Sequence, residues 1–83
     1  MTTPARRIVF RVRYSKKERR WTVYRLKWPN ESYASKYLAV LSARRLARLV
    51  QTDGGLSQLV IHGRDGLIQS EATYGRDPRR RKG

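Results

Sequence analysis

The chain has 83 residues, with twenty Lys and Arg against six Asp and Glu, for a formal charge of +14. It has no Cys and one His, which excludes disulfides and thiolate metal sites and leaves no ligand set for zinc or calcium. Its apolar stretches are too short to span a bilayer, and Met1 to Arg7 lacks the apolar segment of a secretory signal, so a soluble, cytoplasmic bacterial or phage protein is expected.

Residues 1–7 read as a flexible basic arm. From Ile8 to Tyr14 the pattern alternates, with Ile8, Phe10, Val12 and Tyr14 on one side and Val9, Arg11 and Arg13 on the other. Period two predicts a strand with one buried and one wet face. Ser15 to Glu18 is a polar turn. A second strand is expected from Arg19 to about Lys27, with Trp21 and Val23 inward and Thr22, Tyr24 and Leu26 beside Arg11 and Arg13. That parity points Arg25 inward, so the strand is expected to twist past the core edge there.

Trp28-Pro29-Asn30-Glu31-Ser32 reads as a loop, because Pro cannot donate within a sheet and Asn favours turns. Trp28 is expected to cover the edge of the core, the alternative being an exposed stacking platform. Ser32 or Ser35 can cap the following helix, Lys36 to about Gln51, whose buried stripe is Ala39, Ser42, Ala43, Leu46, Ala47 and Val50. Asp53-Gly54-Gly55 ends it. Leu56 to His62 is a third strand and Leu67 to about Thr73 a fourth, joined by the tight turn Gly63-Arg64-Asp65-Gly66. Leu59, Ile61 and Ile68 are expected to face the helix, with Val60, His62, Leu67 and Gln69 turned away. Residues 76–83 read as a disordered basic tail.

The expected fold class is therefore α+β, in the order β-β-α-β-β. One helix packs on one face of a four-stranded antiparallel sheet, in a single domain spanning 8–75. Such a small core, without staples, leaves room for a homodimer.

Four segments carry a resemblance: W-T-V at Trp21 to Val23, the alanine repeat Ala39, Ala43 and Ala47, L-V-I-H-G-R-D-G-L-I at Leu59 to Ile68, and Y-G-R-D-P at Tyr74 to Pro78. In this order they resemble a family of small bacterial domains of unknown function, over roughly Val9 to Pro78. The resemblance implies the β-β-α-β-β domain and no activity. The first hairpin and the helix carry more Arg and Lys than that pattern, in keeping with an anionic partner.

Segment 8–75 alone holds thirteen cations and five anions, so the charge is not confined to the arms. Fifteen of the twenty cations are Arg, whose planar fork suits phosphates and base edges. A non-enzymatic nucleic-acid-binding protein is the leading expectation. Arg11, Arg13, Lys16, Lys17, Arg19, Arg20 and Arg25 would supply the footprint and Tyr24 a stacking or groove contact. Arg79, Arg80, Arg81 and Lys82 would add an auxiliary clamp. DNA is favoured over RNA on the ribbon geometry and the Arg content, which implies a nucleoid-associated location. No cofactor and no small-molecule substrate is expected.

Two other readings stand beside it. A protein-interaction or dimerisation module would use the charge for docking. A small ribonuclease toxin would use His62, Tyr24 and Arg64, although no nucleophile or carboxylate is set beside His62 by spacing.

Overall fold

The computed structural model describes residues 7–75. The arm 1–6 and the tail 76–83, with Arg79, Arg80, Arg81 and Lys82, lie outside the described residues. The elements are β1 (Arg7–Ser15), β2 (Arg20–Arg25), β3 (Trp28–Tyr33), α1 (Lys36–Thr52), β4 (Leu56–His62) and β5 (Ile68–Tyr74). They form one five-stranded sheet in the order β3-β2-β1-β4-β5, with α1 against one face.

The sheet is therefore mixed and five-stranded, not antiparallel and four-stranded. β1 and β4 run parallel, with Phe10 beside Leu59 and Val12 beside Ile61, while the other three pairings are antiparallel. One strand accounts for both differences. Residues expected to loop instead form β3, which carries the chain back along β2. The helix then returns it once more, so β4 enters the sheet in the same sense as β1.

β3 is able to form because it is an edge. Pro29 lacks an N–H, a deficit that an edge strand tolerates. A bulge opposite Val23 and Tyr24 takes up the register shift between the Glu31 and Pro29 pairings. The β2–β3 connection is only Leu26-Lys27, and Leu26 adopts a φ of 60°, uncommon for a residue with a Cβ. The Leu26 amide still donates to Val9 O at 2.7 Å, which fastens this turn to β1. At the other end of β3 the Tyr33 hydroxyl donates to Glu31 Oε1 at 2.7 Å and lies 2.8 Å from Ser42 Oγ.

The core is thin. Phe10, Val12, Trp21, Val23 and Leu59 lie buried beneath Ala39, Ala43 and Ala47. Alanines four residues apart give α1 a smooth stripe, so its backbone approaches the sheet closely. Ser57, buried on β4, donates from Oγ to Ala47 O at 2.9 Å across that gap. Ser35 caps the helix, its hydroxyl accepting from the Leu38 amide at 3.3 Å. Past its C-terminus the Asp53 amide donates to Leu49 O and Val50 O, and Gly54 takes a φ of 87°.

The β4–β5 turn is closed by Gly63 N to Leu67 O at 2.8 Å and by Leu67 N to Asp65 Oδ1 at 3.0 Å. Gly66 has a φ of 89°. A bulge between Ile61 and His62 pairs Ile68 with His62, so Ile68 stands on the face away from the helix and is half-exposed. Gln69 swings to the helix side instead, where its Oε1 accepts from Lys36 Nζ. Both residues were expected on the opposite faces, and the extra residue of the bulge is the reason.

Candidate nucleic-acid interface

The face that α1 leaves uncovered is built by alternation. On β1 it carries Arg7, Val9, Arg11 and Arg13; on β2, Arg20, Thr22 and Tyr24; on β4, Gln58, Val60 and His62. Register decides which of these touch. One row runs Tyr24–Arg11–Val60–Glu71 across four strands, and another Ser32–Thr22–Arg13 across three. Arg11 and Arg13 thus stand opposite Tyr24 and Thr22 rather than another cation, Arg7 stands opposite Leu56, and Arg20 stands opposite Ser15. Like charges placed directly opposite would destabilise the pairing, and this register avoids them.

The cations on this face occupy the β1–β2 half. Its acidic member, Glu71, lies on the far edge strand and accepts from Gln58 Nε2 at 2.8 Å. Of the other carboxylates, Glu18 is exposed in the β1–β2 loop, Asp53 follows the helix, and two are engaged away from the face. Glu31 accepts from Tyr33, and Asp65 from the Leu67 amide.

Two of the arginines are held in place. Arg20 Nη2 donates to Ser32 O on β3 at 2.9 Å. Arg11 leans toward β4, its Nη1 3.1 Å from His62 Nε2, while His62 Nδ1 lies 2.9 Å from Gly66 O. A guanidinium only donates, so Nε2 must accept and Nδ1 must carry the proton that reaches the carbonyl. His62 is in this way held through both ring nitrogens at 6% exposure, on a sheet face that no other described element covers. Val60, at 3%, and Thr22, at 8%, are likewise closed off by the long side chains around them. The outcome is a shallow polar surface with a filled floor.

The cationic loop projects beyond this face. Lys16, Lys17 and Arg19 are exposed in the β1–β2 connection, which is shaped by Arg19 N to Ser15 O at 2.7 Å and Glu18 N to Ser15 Oγ at 3.1 Å. Of the residues singled out from sequence, Arg11, Arg13, Arg20 and Tyr24 share the uncovered face, with the loop cations beyond its end. Arg25 does not join them. It pairs with Phe10, on the helix side of the sheet, and is exposed at the opposite end of β2.

Several side chains were missed by sequence reasoning. Arg7, set aside with the arm, is part of β1 and lies on the same face as Arg11; the alternation of Ile8 and Phe10 already implied this. Trp28 is 64% exposed beneath the Lys27 ammonium, 5.7 Å from the ring, so the expectation that it covers the core edge is corrected. It begins the edge strand, at the end opposite Tyr33, through which β3 meets the helix. Arg64 crosses to the helix side, its guanidinium 4.7 Å from the Tyr14 ring, which in turn lies 4.9 Å from Trp21. His62, Tyr24 and Arg64 therefore do not converge.

The family model described as uncharacterized protein conserved in bacteria (DUF2188) matches residues 10–74. The chain belongs to this family. The DUF2188 span runs from Phe10 in β1 to Tyr74 at the end of β5, and only Arg7 to Val9 and Gly75 of the described residues fall outside it. No curated protein and no solved structure matches the chain. Among the described residues, no helix is long and apolar enough to cross a membrane.

Proposed function

We propose that this protein is a non-enzymatic nucleic-acid-binding domain, with DNA favoured over RNA, that docks the uncovered face of β1 and β2 and their connecting loop onto the phosphate backbone. One observation carries the reading: Arg7, Arg11, Arg13 and Arg20 share one solvent-facing side of two adjacent strands, with Lys16, Lys17 and Arg19 at its end and no carboxylate among the β1 and β2 side chains of that face. Tyr24 supplies a ring beside Arg11 for stacking or a groove contact. Arg79, Arg80, Arg81 and Lys82 add affinity by counterion release, and Arg25 is a peripheral contact. Binding to bacterial DNA implies a cytoplasmic, nucleoid-associated location.

The test is a titration of the chain with short duplex DNA, single-stranded DNA and RNA over a range of salt. Neutralising about six phosphates gives a slope of log affinity against log salt near −5. Affinity indifferent to salt, or absent at low salt, would overturn the reading. Amide shifts on β1 and β2 in the bound protein are expected; shifts confined to residues 76–83 would reduce the folded domain to a carrier.

A second reading, a protein-interaction module, is favoured by the outer face of α1. There Leu41 and Leu49 are largely exposed among Arg44, Arg45 and Arg48, and the helix has no acidic residue. Apolar side chains add little to phosphate binding and much to a protein contact. The ribonuclease reading finds less support. Both ring nitrogens of His62 are already engaged, and Arg64 stacks on the other side of the sheet.

A further inference from the structure

The two edges of the sheet are unlike. β3 carries Pro29, a bulge against β2 and the charged Glu31, all features that discourage another strand from adding to it. β5 has its bulge at Gln69, beside the turn, and pairs without interruption from Ser70 to Tyr74. It has no Pro, Lys or Arg, its one charge is Glu71, and every residue except Tyr74 is exposed. Among the described residues, no strand neighbours its outer row of backbone N–H and C=O groups.

Charge divides the molecule along the same line. Residues 7–52 hold thirteen cations and two anions, whereas 56–75 hold Arg64 against Asp65 and Glu71. Residues 76–83, past the end of β5, add five cations and one anion. Within the described fold the charge is therefore lowest along β5 itself, and a strongly basic chain meets a copy of itself most readily there. We propose that β5 pairs antiparallel with β5 of a second copy, joining the two sheets into one of ten strands.

Register follows from the side chains. Centring the pair on Glu71 would set two carboxylates face to face, which is unfavourable. Paired residues must also share a face, so the next register places Ala72 opposite itself, Glu71 opposite Thr73 and Ser70 opposite Tyr74. The smallest side chain then lies on the dyad. Because antiparallel strands of one sheet are related by an axis normal to it, both helices fall on one side and both arginine faces on the other. Five strand spacings, about 24 Å, separate the two β1 strands. This inference does not depend on nucleic-acid binding.

Sedimentation equilibrium of the full chain without nucleic acid, from micromolar to about millimolar at about 0.15 M salt, tests it. A species of twice 9.8 kDa is expected. The double variant Ser70→Lys/Ala72→Lys places gatekeeper charges on the edge. It is expected to raise the dimer dissociation constant about tenfold or more while its circular dichroism and melting stay those of the parent. The chain has no other thiol, so Ala72→Cys is expected to cross-link to a dimer under mild oxidation and Glu71→Cys to do so far more slowly. A monomer across the whole range, association undiminished in a folded lysine variant, or equal cross-linking of the two cysteine variants would each overturn it.

Discussion

The β1–β2 hairpin and the β4–β5 hairpin flank the same sheet face but use it in opposite ways. On β1 and β2 the outward positions hold arginines, of which Arg11 and Arg20 each bond a neighbouring strand, while the strands themselves are fixed by the buried Phe10, Val12, Trp21 and Val23 beneath. On the β4–β5 hairpin the polar side chains are committed to the turn or to each other. His62 bonds Gly66 O, Asp65 bonds the Leu67 amide, and Gln58 bonds Glu71. Charge accumulates where the backbone does not need the side chain. Where local geometry consumes polar groups, the surface stays near neutral.

This contrast can be broken or sharpened by substitution, starting with binding. Arg11→Ala/Arg13→Ala is expected to weaken duplex DNA affinity by roughly a hundredfold, about 2.7 kcal/mol, and to reduce the salt slope by about 2. Glu71→Gln, on the same face but in the other half, should change affinity less than about twofold. Equal effects from the two halves, measured by fluorescence anisotropy, would abolish the distinction.

Folding should respond in the reverse order. Gly75 has a φ of 114°, and a Cβ there would meet Gly55 O and Leu56 Cδ2 at 2.8 Å. Gly75→Ala is therefore expected to cost about 2 kcal/mol in urea unfolding, from strain and collision together. Gly66→Ala has open space around it and only its φ of 89° to satisfy, so a smaller loss of about 1 kcal/mol is expected. The smallest change lies back in the basic half. Leu26→Asn, at φ 60°, should stabilise by about 0.5 kcal/mol, because Asn tolerates the left-handed region.

Much of the fold was legible because its signals are local. Alternating Ile8, Phe10 and Val12 against Arg11 and Arg13 marked β1 and its two faces. Alanines at four-residue spacing, followed by Asp53-Gly54-Gly55, marked α1 and its end. β3 escaped because Pro29, Asn30 and Glu31 are loop residues by composition, and its main anchor to the helix layer, Tyr33, lies at the far end. Missing that one strand also hid the parallel pairing, since strand sense depends on how many times the chain reverses before β4. The bulges at Val23/Tyr24 and Ile61/His62 leave no mark in hydrophobic periodicity, so Ile68 and Gln69 were assigned to the wrong faces.

For the site, the shared face of Arg11, Arg13 and Tyr24 followed from parity alone. The bond from Arg11 to His62 did not, because it crosses between strands that are fifty-one residues apart in sequence. The exposure of Trp28 was equally hidden, since it depends on how far α1 extends over the sheet rather than on the residues around Trp28.

Arg7, Leu56 and Gly75 occupy adjoining positions on neighbouring strands, at the end of the sheet away from the Lys16–Arg19 loop. Two strand spacings, about 10 Å, therefore separate the first and last described residues, a gap that about four linker residues can bridge. A circular permutant closed there and opened at another surface turn would present the bare domain without either cationic extension. Immobilisation through such a linker would hold the domain by its far end and leave the arginine-bearing strands free to meet a ligand.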